Sequence, residues 1–498
     1  MCVFYTHFFL ILGSLLIDRE RIYDRLIIDK FCGKSAEKLA KEIDYESKNR
    51  IMLQEPVSRT ILKMAFPTIV AFLITSVYNF ADTYFVSSLG TSATAAVSVN
   101  ASLDQIIMMA GSMLAIGANS YIARLLGQQN REKASQVLST AFFIALAIGL
   151  LFMVLGLIFT KPLVHLLGAT TDCEKYSMDY AKYLLLVAPF MATNFVMNQC
   201  LRAEGSAILS MIGLGFGGIL NCILDPIFIF NLDLEVAGAS IATAISKLVS
   251  FGILIVPYLM KKCVLTLSVK NFRFNKDIVG EIVKMGSSSL FRTGLAIVAA
   301  ILLNNLAGEI SDSVLAGIGV TTKVMMFPMF AVIGFCNGVQ PVAGYNWGAK
   351  RYDRVLQCWK FGWKVSVAAS AILAGTIAIF AEPLISIFTE TDAEMMRVGA
   401  LCLRMQCIAF PVFGWVAMVN FMCSGLGKAK QALLLSTSRQ GTCFIPFLYP
   451  LAIFFKEAGL AAVQGVADFL SFFIALPIQR RIISELKTLQ KAGIIEDS

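Results

Sequence analysis

The sequence predicts an all-α membrane protein of twelve transmembrane helices, arranged as two parallel, pseudo-symmetric six-helix lobes. Three observations carry this prediction. The 498 residues are 57% hydrophobic and only 15% charged, outside the range of soluble domains. Apolar runs recur at the roughly 20-residue length a helix needs to cross a bilayer. The second half of the chain also repeats the first in register.

Taken in order, the spans fall near 59–88, 93–124, 134–160, 175–203, 206–231 and 236–261. A second set follows near 277–308, 311–345, 351–381, 395–424, 430–455 and 458–483. Continuous apolar runs such as Phe142–Phe159 exclude a transmembrane β-barrel, whose strands alternate over about ten residues. The chain thus divides into an N-terminal cytoplasmic segment (1–58), a first lobe (59–261), a linker (262–276), a second lobe (277–484) and a tail (485–498). In the leading segment, Cys2–Ile17 is apolar but short for a span, with no basic n-region and no clear cleavage site. The segment reads as an upstream extension of little structural consequence.

The net charge of +9 is distributed by loop rather than by domain. Arg124, Arg131 and Lys133, then Arg202, then Lys261, Lys262, Lys270, Arg273 and Lys276 occupy alternate loops. Lys350, Arg351, Arg354, Lys428, Lys430, Arg480, Arg481, Lys487 and Lys491 continue the series. The intervening loops carry Asp172, Glu174, Asp233, Glu235, Glu309, Asp312, Glu382, Glu390 and Asp392, with Lys161, Lys175, Arg397 and Lys456 as exceptions. By the positive-inside rule both termini are cytoplasmic, in a multi-pass protein of the inner membrane. The basic excess sets orientation and needs no nucleic-acid partner. The twelve cysteines are scattered, mostly inside apolar spans, without a Cys-x-x-Cys pair, and read as small packing residues. His7 and His165 are the only histidines, which argues against a histidine metal site.

The repeat has an offset of 221 residues: Ile61, Lys63 and Met64 meet Ile282, Lys284 and Met285, Gly117 meets Gly338, and Gly127 meets Gly348. Pro162 meets Pro383 at the same offset; after a one-residue slip Pro189, Asn198 and Gly205 match Pro411, Asn420 and Gly427. An even number of spans per repeat makes the halves parallel, related by an axis along the membrane normal, as in secondary transporters. A substrate cavity then lies between the halves. Gly425-Leu426-Gly427-Lys428 lacks the spacing of a phosphate loop, and no loop is long enough for a nucleotide-binding domain. Coupling to an ion gradient is what remains.

Ionisable groups inside a bilayer are costly, so each in-span charge is a functional candidate. Asp82 in span 1, Asp225 in span 5 and Thr243 in span 6 all lie roughly 10 Å below the acidic-loop surface at 1.5 Å per residue. Asn221 is one turn from Asp225 on the same face, and Asn79 stands similarly to Asp82. Two carboxylates, an amide and a hydroxyl at one level suit a small oxygen-lined cation site, for H+ or Na+. The alternative is that both aspartates face water or cap helix ends. Lys247, one turn deeper than Thr243, has three open readings: a tethered charge pairing with Asp225 or Asp82, a snorkelling lysine, or a cavity residue that repels cations. The second half lacks matching acids. Leu303 replaces Asp82, and Arg292, Lys323, Arg439 and Asp468 read instead as a structural polar network. Tyr78, Asn198, Gln340 and Met191 are candidates for lining the cavity, within a wider set of Phe190, Phe195, Met197, Met325, Met326 and Met329.

The motif Tyr78-Asn79-Phe80-Ala81-Asp82-Thr83-Tyr84-Phe85-Val86, the run Arg202-Ala203-Glu204-Gly205, and Asn221-Cys222-Ile223-Leu224-Asp225-Pro226 occur in order. Gly238-Ala239-Ser240-Ile241-Ala242-Thr243, Gln340-Pro341 and Gly344-Tyr345-Asn346-Trp347-Gly348-Ala349 follow. Over about residues 52–484 the chain resembles the MATE (multidrug and toxic compound extrusion) family, and is most similar to its bacterial DinF/MepA-like branch. The resemblance implies a V-shaped pair of lobes and export of drugs or metabolites by proton or sodium antiport. It places cation-site roles on Asp82, Asn221, Asp225 and Thr243. Thr75 stands where the family often has glutamine, Lys247 where it has a neutral residue, and Gly465-Val466-Ala467-Asp468 loses the proline of a Pro-x-x-Asp motif.

The expected activity is therefore that of a secondary antiporter, not an enzyme, working as a monomer among membrane lipids. Its expected partner is an amphipathic or cationic small molecule; no cofactor is expected beyond the coupling ion, and no metal beyond Na+. A lipid-linked oligosaccharide flippase of the same wider superfamily is the alternative, because Arg292, Lys323 and Arg439 are suited to a diphosphate. A membrane enzyme or sensor finds no support, as neither His-Glu-x-x-His nor Gly-x-Ser-x-Gly occurs.

Overall fold

A computed structural model describes residues 34–496 apart from 88, 90, 172 and 389–391. The leading stretch Cys2–Ile17, Asp172 and Glu390 lie outside the described residues. Helix α1 (Lys34–Leu53) precedes the first half, which contains α2 (Val57–Ser87), α3 (Thr91–Gly127), α4 (Arg131–Ile158), α5 (Thr160–Leu166), α6 (Glu174–Leu186), α7 (Ala188–Ala203), α8 (Ala207–Pro226) and α9 (Glu235–Leu259). The second half contains α10 (Lys276–Ile310), α11 (Asp312–Gly348), α12 (Tyr352–Ile379), α13 (Ala381–Ser386), α14 (Ala393–Gly425), α15 (Ala429–Thr437) and α16 (Ile445–Glu496).

The protein is an all-helical membrane protein. Among the described residues ten helices are long and apolar enough to cross a bilayer, or eleven if the bent pair α6–α7 forms one span. That pair turns by 51° at Val187, just before Pro189, whose missing N–H breaks the hydrogen-bond ladder. The last apolar run, Ala429–Ala492, is also interrupted. Lys456 adopts a non-helical φ of 47°, and a Cβ on Gly459 would sit 1.9 Å from the Leu451 carbonyl oxygen. Eight residues along a continuous helix are about 12 Å apart, so the chain reverses direction at Lys456.

Packing follows the repeat. Within the first half α2 lies on α8, and α3 and α4 lie on α7; in the second half α10 lies on α15, and α11 and α12 lie on α14. Between halves α2 packs on α11 and α3 on α10, contacts that the repeat exchanges. The repeated glycines explain how close these crossings come. A Cβ on Gly127 would lie 2.0 Å from the Tyr345 oxygen, and one on Gly348 would lie 2.0 Å from the Arg124 oxygen. These are one contact made twice, because Gly127 matches Gly348 and Arg124 matches Tyr345 in the repeat. Gly117 against Ile282, Gly286 against Met113 and Gly338 against Ala65 continue the seam. The turns repeat as well: Gln129 and Lys350 share φ near 58–59°, and Gly205 and Gly427 take φ of 86° and 77°.

The seam runs from the end bearing the basic loops toward mid-height and no further. Accordingly the apolar core forks. Its largest cluster runs through both halves, joining Ile61, Ala118 and Ile122 with Ile282, Val339 and Ala343. Two smaller clusters belong to one half each: Val86, Leu103, Leu184 and Val236 in the first, and Ala299, Val314, Phe444 and Leu460 in the second.

The basic end is closed further by α1, which departs from the expectation of an inconsequential extension. Its buried Tyr45 and Met52 lie on one face. On the first half, Lys48 Nζ donates to Ser206 Oγ at 2.8 Å and Glu42 pairs with Arg131 at 3.3 Å. On the second, Tyr345 donates to Asn49 at 3.1 Å, and Arg354 to the Met52 and Glu55 carbonyls at 3.2 and 2.7 Å. Too few apolar residues stand among the charges of α1 for its sequence to announce this docking. Beside it, burial pushes the Glu204 carboxyl up from its usual range, with the Lys48 ammonium opposing the shift. The linker is tied to α4: the N–H groups of Thr266, Ser268 and Arg273 donate to the hydroxyls of Ser135, Ser139 and Thr140 at 3.1–3.2 Å.

Gly348→Ala is expected to destabilise the protein by about 1–3 kcal/mol, because helix backbones must part to admit the methyl group. Gly280→Ala and Gly375→Ala, where an added Cβ meets nothing within 4 Å, should stabilise by about 0.4–1 kcal/mol. Thermal unfolding of the purified variants in detergent separates the two outcomes.

Candidate functional site

Where the seam ends, the two halves wall a cavity of about 270 Å³. The first half contributes Tyr78, Asn79 and Asp82 from α2, Asn100, Asp104 and Gln105 from α3, Tyr180 from α6, Asn221 from α8, and Thr243 and Lys247 from α9. The second half contributes Lys323, Met326 and Phe327 from α11.

Asn221 holds the centre of the polar cluster. Its Nδ2 donates to Asp225 Oδ1 at 2.9 Å, one turn along α8, and to Thr243 Oγ1 at 3.2 Å on the neighbouring α9. Asp225 is fully buried behind the cavity wall, at the point where α8 gives way to a π-helical turn, Ile227–Asn231. Asp225 Oδ2, Asn221 Oδ1 and Asp82 Oδ1 are buried and accept no hydrogen bond among the described residues. Burying oxygen acceptors without a donor costs about 1–3 kcal/mol each, and a proton or small cation among them recovers that cost. Asp82 and Asp225 feel each other's charge, and Asp104 and Lys247 act on Asp82. Thus Asp82, Asn221, Asp225 and Thr243, grouped in the sequence by depth alone, are brought together on three helices, with Asn79 on the cavity wall beside them.

Lys247 is neither paired with a carboxylate nor turned away. Its ammonium donates to the Tyr78 hydroxyl at 3.2 Å and lies 5.4 Å from the centre of that ring, facing the cavity. No ion pair of Lys247 forms among the described residues. Asp104 is the residue sequence reading missed. The signal was present, since Asp104 is an in-span carboxylate as costly as Asp82, but it shares no depth or helix face with the other acids.

Three proposed cavity residues lie elsewhere. Met191 is fully buried in the apolar core of the first half. Asn198 donates to the Ser210 carbonyl at 3.0 Å and accepts from Arg202, at the basic end. Gln340 is buried at the crossing of α11 and α14, where a Cβ on Gly425 would come within 2.8 Å of its carbonyl oxygen. Helical stripes of apolar and amide residues here serve close packing. Of the four, Tyr78 alone lines the cavity.

In the second half Arg439 Nε donates to Asp468 Oδ1 at 2.6 Å, its guanidinium lying 4.2 Å from the Phe413 ring centre. Gln464 donates to the same oxygen at 3.3 Å. Arg292 reaches the Ser289 hydroxyl at 3.5 Å and the Phe421 ring at 6.0 Å. Lys323 is not part of this network, because it points across the seam's end into the cavity.

A membrane-embedded pair of helical halves, closed together at one end and walling a charged cavity toward the other, has the build of a small-molecule transporter. The chain belongs to the MatE family, whose pattern matches residues 67–227 and again 290–449, once in each half. It is 28% identical over 441 residues to the multidrug export protein MepA of Staphylococcus saprophyticus, covering 88% of this chain and 97% of that protein. It is likewise 28% identical over 448 residues to MepA of Staphylococcus haemolyticus, covering 89% and 97%. Among solved structures it resembles a multidrug resistance MATE family transporter in an outward-facing conformation, at 23% identity and a TM-score of 0.83, over 88% of this chain and 98% of that one. A MATE crystal structure in a straight conformation matches with 22% identity and a TM-score of 0.83, over 88% and 99%. The protein is a transporter of this family and not an enzyme.

The Arg439–Asp468 pair yields a stability prediction. Asp468→Ala alone should cost about 3–5 kcal/mol by leaving a guanidinium uncompensated, whereas Arg439→Met with Asp468→Leu should recover most of that loss. A thermal-unfolding double-mutant cycle measures both.

Proposed function

We propose that the protein is a secondary active antiporter that exports amphipathic organic compounds, whether drugs, toxins or metabolites, in exchange for H+ or Na+. The observation that carries this reading is the trio of buried, donor-less oxygens on Asp82, Asn221 and Asp225 beside a cavity that both halves wall. An ion entering there compensates the carboxylates, and its departure leaves them charged against one another. Site occupancy is thereby linked to the energetics of the cavity. The multidrug export activity named for the staphylococcal relatives supports the substrate class.

In this reading the interrupted helices resolve into twelve spans, six in each of two lobes joined by residues 262–276, with both termini on the cytoplasmic side of the inner membrane. The glycine seam then seals the cytoplasmic side. The lobes rock about the level of the cavity, parting the seam when the cavity faces the cytoplasm, so that it opens to one side at a time while a single chain carries out the cycle. Selective binding needs an energy difference between the two states, and the ion at Asp82 and Asp225 supplies it.

Reconstituted in liposomes under an imposed ion gradient, Asp82→Asn and Asp225→Asn are each expected to abolish gradient-driven efflux of a cationic dye while the protein is still inserted at wild-type levels. Undiminished efflux in both variants would sink the coupling site. Substrate-dependent proton release that persists without Na+ identifies H+ as the coupling ion, and a strict Na+ requirement identifies Na+.

A further inference from the structure

The charges around the cavity deepen the exporter reading, and the inference drawn from them rests on it. Two carboxylates, Asp82 and Asp104, and two ammonium groups, Lys247 and Lys323, line the same space, so its formal charges cancel. A pit for permanent cations would be acidic throughout. Lys247 is already engaged with Tyr78, both by hydrogen bond and through the ring face. Lys323 is not engaged. Its side chain is exposed, and among the described residues it makes no hydrogen bond, ion pair or ring contact. Asp104, in the opposing half, likewise forms no hydrogen bond or ion pair among the described residues; the charges of Lys247 and Asp82 act on it through space.

Met326 and Phe327 follow Lys323 by three and four residues, placing an apolar surface on the same side of α11 as the ammonium. Val97, from α3, lies across the cavity with Asp104. Each wall therefore offers one uncommitted charge of opposite sign together with an apolar patch. We propose that the cavity takes amphipathic zwitterions, with the ligand's cationic group at Asp104, its carboxylate at Lys323, and its apolar body between Val97, Met326 and Phe327. The coupling cluster of Asp82, Asn221, Asp225 and Thr243 stays free for the ion. The ligand spans the two halves, because Asp104 belongs to the first and Lys323 to the second.

The test uses one xanthene dye in two forms: its ethyl ester, a permanent cation, and its free acid, a zwitterion of nearly the same shape. Equilibrium binding of each to the purified full-length protein in detergent gives a ratio of affinities. The free acid is expected to bind about tenfold more tightly, the scale of one charge-assisted hydrogen bond. Lys323→Gln should erase that preference by weakening the acid alone, and Asp104→Asn should weaken both forms. Because Lys323 is exposed, its variant should unfold thermally with the wild type, which confirms that the binding change is local. Equal or tighter binding of the ester to the wild type overturns the proposal, as does an unchanged ratio in Lys323→Gln or binding of neither dye. Efflux in liposomes separates the two levels of the reading. Preferential binding of the acid without gradient-driven efflux leaves this proposal standing and defeats the exporter, whereas efflux of the ester alone defeats only this proposal.

Discussion

Helix backbones can approach closely only where no side chain intervenes, and the two halves of this protein are joined along such a line. Gly117, Gly127, Gly286, Gly338 and Gly348 leave carbonyl oxygens where a Cβ would otherwise stand. In a bilayer, apolar burial gives little net drive for helices to associate, so close van der Waals packing at small residues decides which helices pair. The seam therefore fixes where the helices cross most closely, and by ending at mid-height it leaves room for the cavity, beside which Phe80 and Phe388 meet across the halves with ring centres 6.1 Å apart. The forked core and the cavity follow from that one geometric limit. So does the reach of Lys323, which enters the cavity because α11 leaves the seam below it.

The polar cluster is affordable only in such a place. Asp225 is fully buried, yet its one satisfied oxygen is held by Asn221, which also fixes Thr243 on another helix. The second half solves a comparable problem by closing it. Arg439 holds Asp468 Oδ1 with a short charged contact, and Gln464 adds a second donor to the same oxygen. A carboxylate matched by a guanidinium has little left to offer an ion, whereas one held by a single amide does. The asymmetry between the halves is thus one of pairing: the buried acid of the second half has a cationic donor, and Asp225 in the first has only an amide.

Much of this was legible in the residues. The repeat's glycines stood at a constant offset in the sequence, and they are the residues the seam is built on, since backbone constraints leave a direct trace in residue type. Depth counting grouped Asp82, Asn221, Asp225 and Thr243 because helical rise converts position into height. What depth cannot convey is azimuth between helices. That is why Lys323 was assigned to the wrong network and why Asn198, Gln340 and Met191 were placed in a cavity they do not line, whereas Asp104 was missed because its depth differs from that of the other acids. The docking of α1 was hidden for another reason: its contacts run mainly through backbone carbonyls and single polar side chains, which leave no hydrophobic period to read.

The glycine seam has a further consequence. Since Gly127 meets Tyr345 as Gly348 meets Arg124, this crossing is its own image under the repeat. This is the symmetry of an isologous dimer interface, in which one surface patch serves both partners, here tied into a single polypeptide. A half-length ancestor could have met its own copy through the same glycines, so that one substitution was felt twice in every pair. Within one chain the copies differ, along this face too, where Gly286 matches Ala65 in the repeat, and the unequal acids of the two halves are part of that difference.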